Sequence, residues 1–108
     1  MITKKYIKSR KVCQITFEVP AAELPLGVSV ETLAVAGEFN DWSLNATPLE
    51  YGKPAKAWRA KLELPAGRVY EFRYVANGAI WFNDWQADGY TANPAGDDNC
   101  VLVTPPTA

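Results

Sequence analysis

Histidine is absent from this chain of 108 residues. It is the general base of Ser-His-Asp triads and Cys-His pairs, and it is a frequent zinc ligand. Its absence therefore excludes hydrolases that depend on such triads or pairs, together with zinc sites that contain histidine.

Cysteine and long apolar runs are scarce. The two cysteines, Cys13 and Cys100, lie near opposite ends of the chain, although the strand-like segments that carry them can still be neighbours in space. Met1 leads into charged residues without the apolar segment of a signal peptide, and no apolar run reaches membrane-spanning length. These features predict a cytoplasmic protein with no membrane partner and with reduced thiols.

An excess of charge of either sign is also missing, since 11 basic and 12 acidic residues give a net charge of −1. This balance predicts no general attraction to nucleic acid. The length fits one domain. We expect a basic N-terminal arm at residues 1–10, a folded domain at residues 11–104 and a mobile tail at residues 105–108.

Apolar and polar residues alternate in several short segments, as they do in half-buried strands. Asn77-Gly78 is typical of a type I′ hairpin turn. Strands are predicted over residues 12–19, 32–38, 57–64, 68–76, 79–82 and 99–103. Residues 39–56 are predicted to be a long loop, and residues 83–98 to be irregular.

Short strands with turn residues between them, and no long helix, predict an all-β fold. The expected architecture is a single immunoglobulin-like β-sandwich. The inward faces of the alternating segments predict the core residues, which are Phe17, Val35, Trp58, Leu62, Leu64, Phe72, Tyr74 and Val101.

Aromatic and amide side chains are concentrated in two segments that otherwise read as connectors. Trp42 follows an Asn-Asp turn, and residues 81–93 contain two tryptophans, a tyrosine and several Asn and Asp residues. A sugar ring packs its C–H face on an indole, while its hydroxyls need amide, carboxylate or guanidinium partners. The tryptophans of the second segment can equally pack beneath their loop, so the pattern alone leaves both roles open.

Three segments resemble a known family in the same order. Residues 37–42, Gly-Glu-Phe-Asn-Asp-Trp, resemble the Gly-x-Phe-Asn-x-Trp signature of carbohydrate-binding module family 48. Residues 62–78 are similar to its next block, Leu-x-Leu-Pro-x-Gly, then Tyr-x-Phe-Lys/Arg-Tyr, then Asp/Asn-Gly. Residues 97–101 resemble the start of its last strand. The order and spacing agree over residues 33–103.

The family includes the N-terminal early-set domains of isoamylases and glycogen-branching enzymes, and the glycogen-binding domain of the AMP-activated protein kinase β subunit. The resemblance therefore implies an early-set sandwich that binds α-1,4-glucan, as glycogen, starch or malto-oligosaccharide, with no metal and no cofactor. Trp42 and Trp81 match the two stacking tryptophans of the family. Arg73 matches its basic residue, which bonds sugar hydroxyls.

The last part of the resemblance concerns the end of the site. Asp98, with Asn99 beside it, falls where the kinase-type domains carry a glucan-binding asparagine. The leucine that threads against the sugar in those domains has no clear equivalent near Pro94. We expect Trp85 and Tyr90 to take its place.

Two other functions remain open. Family members are often attached to amylase-type barrels, but glycoside hydrolysis needs two carboxylates across a cleft. The aspartates here fall in predicted loops with no barrel, so we expect no enzymatic activity and no catalytic residue. The other possibility is a protein-interaction or accessory domain associated with a glycoside hydrolase or glycogen-metabolising enzyme, with the sugar site lost or reused. Glucan binding that depends on Trp42 separates these functions.

Overall fold

The computed structural model describes residues 1–105, so residues 106–108 of the predicted tail lie outside the described residues. Residues 1–105 contain nine strands: β1 (Ile2–Ile7), β2 (Val12–Pro20), β3 (Leu33–Gly37), β4 (Pro48–Gly52), β5 (Ala57–Pro65), β6 (Val69–Ala76), β7 (Ile80–Phe82), β8 (Gly89–Ala92) and β9 (Asp98–Val103). Within the described residues the helical structure consists of two short 3-10 turns, at Ala21–Glu23 and Glu38–Asn40. The predicted all-β fold is confirmed. A helix with the length and apolar character of a membrane crossing does not occur within residues 1–105.

The strands pair antiparallel in the order β1-β2-β5-β4-β3-β6-β9-β8, and β7 pairs with β6. We call β1, β2, β5 and β4 the first sheet, and the remaining strands the second sheet. The two sheets face each other, because Phe17 of β2 contacts Phe72 and Tyr74 of β6, with ring centroids 5.2 and 6.3 Å apart, although β2 and β6 are not paired. The first and second sheets are therefore two parts of one continuous sheet, which is joined where β4 pairs with β3 and is folded over one shared core. This is the arrangement of a single β-sandwich-like domain.

Most of the predicted core is confirmed. Fully or almost fully buried are Phe17, Val35, Leu64, Phe72 and Tyr74. Trp58 and Leu62 are partly buried and pack against the same cluster. The prediction for Val101 is wrong: this residue is opposite a glutamate of β6, and its neighbours Cys100 and Leu102 fill the core instead. Apolar residues occupy both faces of β9, so alternation does not reveal which face is inward.

Three strands are not predicted from the sequence. β1 lies in the expected basic arm and pairs with β2 over all six of its residues. The predictions of irregular structure over residues 39–56 and 83–98 are wrong where β4 and β8 occur. β4 and β8 were missed because they are five and four residues long, too short to contain a clear alternation. β1 was missed because it is an outer strand, which exposes much of its surface and is therefore polar.

Candidate functional site

The first predicted stacking residue follows a turn after β3 that is fixed by one amide side chain. The Oδ1 atom of Asn40 accepts hydrogen bonds from the backbone N–H groups of Gly37 and Ser43, at 3.0 and 3.3 Å. Its Nδ2 group donates to the Val35 carbonyl and to the Thr47 hydroxyl, both at 3.0 Å. All hydrogen-bonding atoms of this amide are engaged in the turn, so it holds the loop rather than facing a ligand.

Trp42 is held by an unusual backbone conformation. Asp41 and Trp42 have φ angles of 56° and 58°, in the left-handed region that bulky residues rarely adopt. The Trp42 N–H donates to the Gly37 carbonyl at 2.8 Å, which closes the turn. The β3 residues Ala34 and Ala36 are buried although they lie on the outer face of the second sheet, opposite Val75 and Arg73 respectively.

Trp81 approaches from the other side, on the hairpin that joins β6 to β7. Asn77 and Gly78 have φ angles of 53° and 69°, positive at both central positions as a type I′ turn requires. The hairpin places Trp81 opposite Val75, on the outer face of the second sheet. Its ring centroid is 6.5 Å from that of Trp42, and the two planes are inclined by 53°. Trp81 is 38% exposed.

Arg73 lies on the same outer face, and its side chain is only 14% exposed. Its Nε donates to Oδ1 of Asn83 at 2.7 Å, and its Nη1 is 3.7 Å from a carboxylate oxygen of Asp97. Asn83 in turn donates to the backbone carbonyl of Asp98 at 2.9 Å. The hydrogen bond from Nε to Asn83 therefore fixes the orientation of the guanidinium, and the carboxylate of Asp97 balances its charge.

A chain of side-chain hydrogen bonds continues beside this ion pair. Asn99 is buried and donates to the Glu71 carboxylate at 3.1 Å, while its Oδ1 accepts from Asn93 Nδ2 at 3.0 Å. The Asn93 Oδ1 accepts from the backbone N–H groups of Ala95 and Asp97, at 2.9 and 3.2 Å. This chain shapes the loop between β8 and β9 that carries the counter-ion of the arginine.

These residues surround one open depression on the outer face of the second sheet. Its lining consists of Trp42, Arg73, Trp81, Asn93, Ala95, Asp97 and Asn99. We call it the Trp42–Trp81 depression. Four of the six residues predicted for the site are among them, which are Trp42, Arg73, Trp81 and Asn99. Asn93 and Asp97 are not predicted as site residues, and the only signal for them is the abundance of Asn and Asp after β7.

Asp98 does not line this depression, whereas Asp97 before it and Asn99 after it do. Asp98 and Asn99 are consecutive in β9, so their side chains leave on opposite faces of the strand. The backbone carbonyl of Asp98, rather than its carboxylate, contributes to the site by accepting the hydrogen bond from Asn83.

Trp85 lies in a separate groove and is 77% exposed. Its neighbours there include Leu24, Leu26, Phe82 and Tyr90. We call this surface the Trp85 groove. The structure thus places the predicted aromatic residues in two different concave surfaces rather than in one.

A buried carboxylate supports the loop that carries Trp85, and the sequence gives no sign of it. The Oδ2 atom of Asp84 accepts hydrogen bonds from the Tyr74 hydroxyl at 2.6 Å and from the Met1 ammonium group at 2.7 Å. Its Oδ1 atom accepts from the Gln86 N–H at 2.7 Å, and its backbone carbonyl accepts from the Tyr90 hydroxyl at 2.5 Å. Asp84 therefore ties its loop to the core.

Burial shifts the pKa of three groups beneath these surfaces. Desolvation raises the pKa of Tyr74 well above its ordinary value, and the negative charge of Asp84 adds to this shift. Desolvation also raises the pKa of Cys100 to about 11 and raises that of Cys13. Both thiols are free and buried, so they stay protonated near neutral pH and are poor nucleophiles.

In the part of the chain that the structure describes, the acidic and sulfur side chains do not form a metal site. Within residues 1–105, no three of the Cys, Asp and Glu residues are placed so that they can hold a metal ion. The depression thus offers two indoles, one guanidinium, one carboxylate and two amides as its chemistry. Comparison of the chain with models of protein families finds no match, and comparison with curated proteins finds none either.

Proposed function

We propose that this domain is a non-catalytic module that binds α-1,4-glucan, such as glycogen, starch or malto-oligosaccharides, in the Trp42–Trp81 depression. The observation that carries the proposal is the pair of indoles, 6.5 Å apart and inclined by 53°. Chains of α-1,4-linked glucose curve, so the faces of neighbouring rings are inclined to one another. Two inclined aromatic platforms suit such a chain better than they suit a flat one.

Polar groups around the indoles match the hydroxyls of a sugar. Among the described residues, the close hydrogen bond of the Arg73 side chain is the one from Nε to Asn83, and Nη1 is 3.7 Å from Asp97. Arg73 lines the depression, so its remaining donor hydrogens are available to a ligand there. Asp97 supplies acceptors beside these donors. Each sugar hydroxyl both donates and accepts, so an adjacent cation and carboxylate can satisfy it.

The absence of catalysis is part of the proposal. Glycoside hydrolysis uses a pair of carboxylates that flank the bond to be broken. Among the described residues that line the depression, Asp97 is the one carboxylate. A cytoplasmic location is also proposed, and the two free cysteines support it because reducing compartments preserve thiols.

Titration calorimetry with maltoheptaose tests the proposal directly. The wild type is expected to bind with a Kd on the order of micromolar to millimolar. Trp42→Ala removes one platform and is expected to weaken binding by about 2 kcal/mol or more, about 30-fold, without unfolding the domain. Tyr51→Ala is the matched control, because Tyr51 is an exposed aromatic on the first sheet. Unchanged affinity in Trp42→Ala, or loss of its folded structure, would contradict the assignment.

The second candidate function is a protein-interaction or accessory domain of a glycogen-metabolising enzyme. It is favoured by an aromatic pair on the first sheet, where Tyr51 is exposed and lies 5.5 Å from Trp58 between ring centroids. This function predicts no glucan binding by the wild type. It also predicts that Tyr51→Ala weakens association with the partner enzyme, while Trp42→Ala does not.

A further inference from the structure

Trp85 is an exposed aromatic residue on a backbone that is held in place. The indole is 77% exposed, yet the residue before it, Asp84, is buried and hydrogen-bonded to Tyr74 and Gln86. The Asp84 N–H also donates to the Cys100 sulfur at 3.2 Å. An indole on a mobile loop can be exposed by chance, but here the attachment is fixed. Exposed apolar side chains that form one contiguous patch mark a binding surface, and Trp85 shares its groove with the exposed Leu26 and Tyr90.

The Trp85 groove combines this indole with other exposed rings and chains. Tyr90 is 48% exposed, and its hydroxyl is fixed by the Asp84 carbonyl, so the ring is also held in one orientation. Leu26 is 98% exposed on the other wall, and Glu23 adds a carboxylate at the rim. The groove therefore offers two ordered aromatic faces and a polar edge, the same combination as in the Trp42–Trp81 depression.

The two concave surfaces are neighbours along β7 and the loop after it. Trp81 and Trp85 are four residues apart, so their Cα atoms are separated by at most about 14 Å. Asn83, between them, lines the Trp85 groove and also bonds Arg73 of the depression. A chain of several glucose units spans such a distance.

We propose that the Trp85 groove is a second glucan subsite, reached only by chains long enough to extend beyond the Trp42–Trp81 depression. This inference rests on the proposed function, because the depression must bind the first part of the chain. Trp85 and Tyr90 provide the stacking faces, and Glu23 accepts hydrogen bonds from hydroxyls. The domain then binds long glucans more tightly than short ones, since the second subsite is occupied at little additional entropic cost.

Continuity favours glucan over a protein partner as the occupant. A glucan bound at Trp81 would extend past Asn83 towards Trp85 and Tyr90. Its next glucose rings could then stack on aromatic side chains there, as the first rings stack on Trp42 and Trp81. The opposite wall, with Leu26, offers further apolar contact to the C–H face of a sugar. A protein that covers the groove is the competing occupant, and it predicts no dependence of affinity on glucan length.

Calorimetric titration of maltotriose and maltoheptaose into four proteins tests the second subsite. The wild type is expected to bind maltoheptaose more tightly than maltotriose. Trp85→Ala is expected to lower the maltoheptaose affinity about tenfold, the loss of one stacking contact, and to leave the maltotriose affinity unchanged. Trp42→Ala is expected to weaken both ligands, and the control Tyr51→Ala neither. Because Trp85 is mostly exposed, thermal unfolding of Trp85→Ala should match that of the wild type.

The outcomes separate the two proposals. If Trp85→Ala leaves both affinities unchanged while Trp42→Ala weakens both, the second subsite is overturned and the glucan depression stands. If Trp85→Ala weakens both ligands equally, Trp85 belongs to the first subsite and the inference is again overturned. If the wild type binds neither oligosaccharide, the glucan function and the second subsite both fall.

Discussion

The two faces of β6 serve different purposes although they alternate within eight residues. The inner face contributes Phe72 and Tyr74, whose rings are 5.8 Å apart at 70° and pack against Phe17 of the opposite sheet. The outer face contributes Glu71 and Arg73, each of which bonds to an asparagine outside β6. The inner face joins the two sheets, whereas the outer face joins the loops that form the depression.

This contrast shows how a small domain can carry a polar site without weakening its core. The side chains of Glu71 and Arg73 form their hydrogen bonds with Asn99 and Asn83 and not with the apolar core, so a change at Arg73 leaves the core packing intact. Within residues 1–105, every buried side-chain nitrogen and oxygen has a hydrogen-bond partner. Substitutions on the two faces of β6 should therefore separate stability from binding.

The largest expected effect is on the inner face. Phe72→Ala removes a fully buried ring and is expected to lower the free energy of unfolding by about 3–5 kcal/mol through the cavity it leaves. Urea denaturation, monitored by tryptophan fluorescence, measures this loss of stability. Arg73→Ala, the adjacent outer residue, serves as the control and is expected to cost about 0.5–1.5 kcal/mol of stability, the net value of the hydrogen bond to Asn83. Equal losses in the two variants would show that the faces are not independent.

The fold was predictable where a strand is long enough to alternate. The segments of β2, β5 and β6 show apolar residues at every second position, and the hairpin turn at Asn77 and Gly78 identifies β7. β4 and β8 are too short to alternate, and their pairing depends on neighbouring strands that only the folded chain supplies. Val101 fails for a related reason, because its strand is apolar on both faces.

The site was predictable to the extent that it lies on regular structure. Alternation places Arg73 on the outer face of β6, and the turn residues after β3 and β6 indicate where Trp42 and Trp81 project. Asp97 and Asn93 belong to a loop whose shape depends on hydrogen bonds between side chains distant in sequence, such as the bond from Asn99 to Glu71. Alternation and turn residues do not predict hydrogen bonds between side chains that are distant in sequence.

A substitution at Gly37 tests how closely the two strands beneath the site must approach. A Cβ atom at this position would lie 2.7 Å from the Glu71 carbonyl oxygen and 2.8 Å from the Cβ of Phe72. Gly37→Ala is therefore expected to destabilise the domain by about 1–3 kcal/mol, as overpacking does. It should also weaken glucan binding, since the Gly37 carbonyl holds Trp42.

Thermal unfolding and maltoheptaose titration of the same Gly37→Ala sample measure the two effects together. Gly52→Ala is a matched control, because the nearest atom to a Cβ there is 3.9 Å away. Comparable stability and binding in both variants would mean that the β3–β6 contact is not required by the site.

Changes at Arg73 measure the polar contribution on the outer face. Arg73→Ala is expected to weaken maltoheptaose binding by about 1.5 kcal/mol, the value of a hydrogen bond from a charged group. Arg73→Lys keeps the charge but loses the Nε–H that Asn83 orients, so it should recover only part of the affinity. Titration calorimetry of the wild type, Arg73→Lys and Arg73→Ala with maltoheptaose measures the three affinities, which are expected to decrease in that order. Full affinity in Arg73→Ala would assign the binding to stacking alone.

The last expected effect comes from alkaline pH, and it should act on the inner face alone. The pKa of Cys100 rises from its ordinary value of 9.0 to about 11 in the folded chain, and the pKa of Tyr74 lies well above 10.0. Both shifts disfavour the ionised form in the folded state. Their contribution to stability is therefore complete below the ordinary pKa values and is lost as the pH rises towards the pKa values of the folded chain.

Denaturant unfolding should therefore show constant stability up to about pH 8 and a decline above about pH 9. Cys100→Ala should show a smaller decline, with Tyr74 and Cys13 responsible for the remainder. Maltoheptaose affinity should stay constant over the range in which the domain is folded, because neither group lines the depression. A fall in affinity that precedes unfolding would show that ionisation on the inner face reaches the outer one.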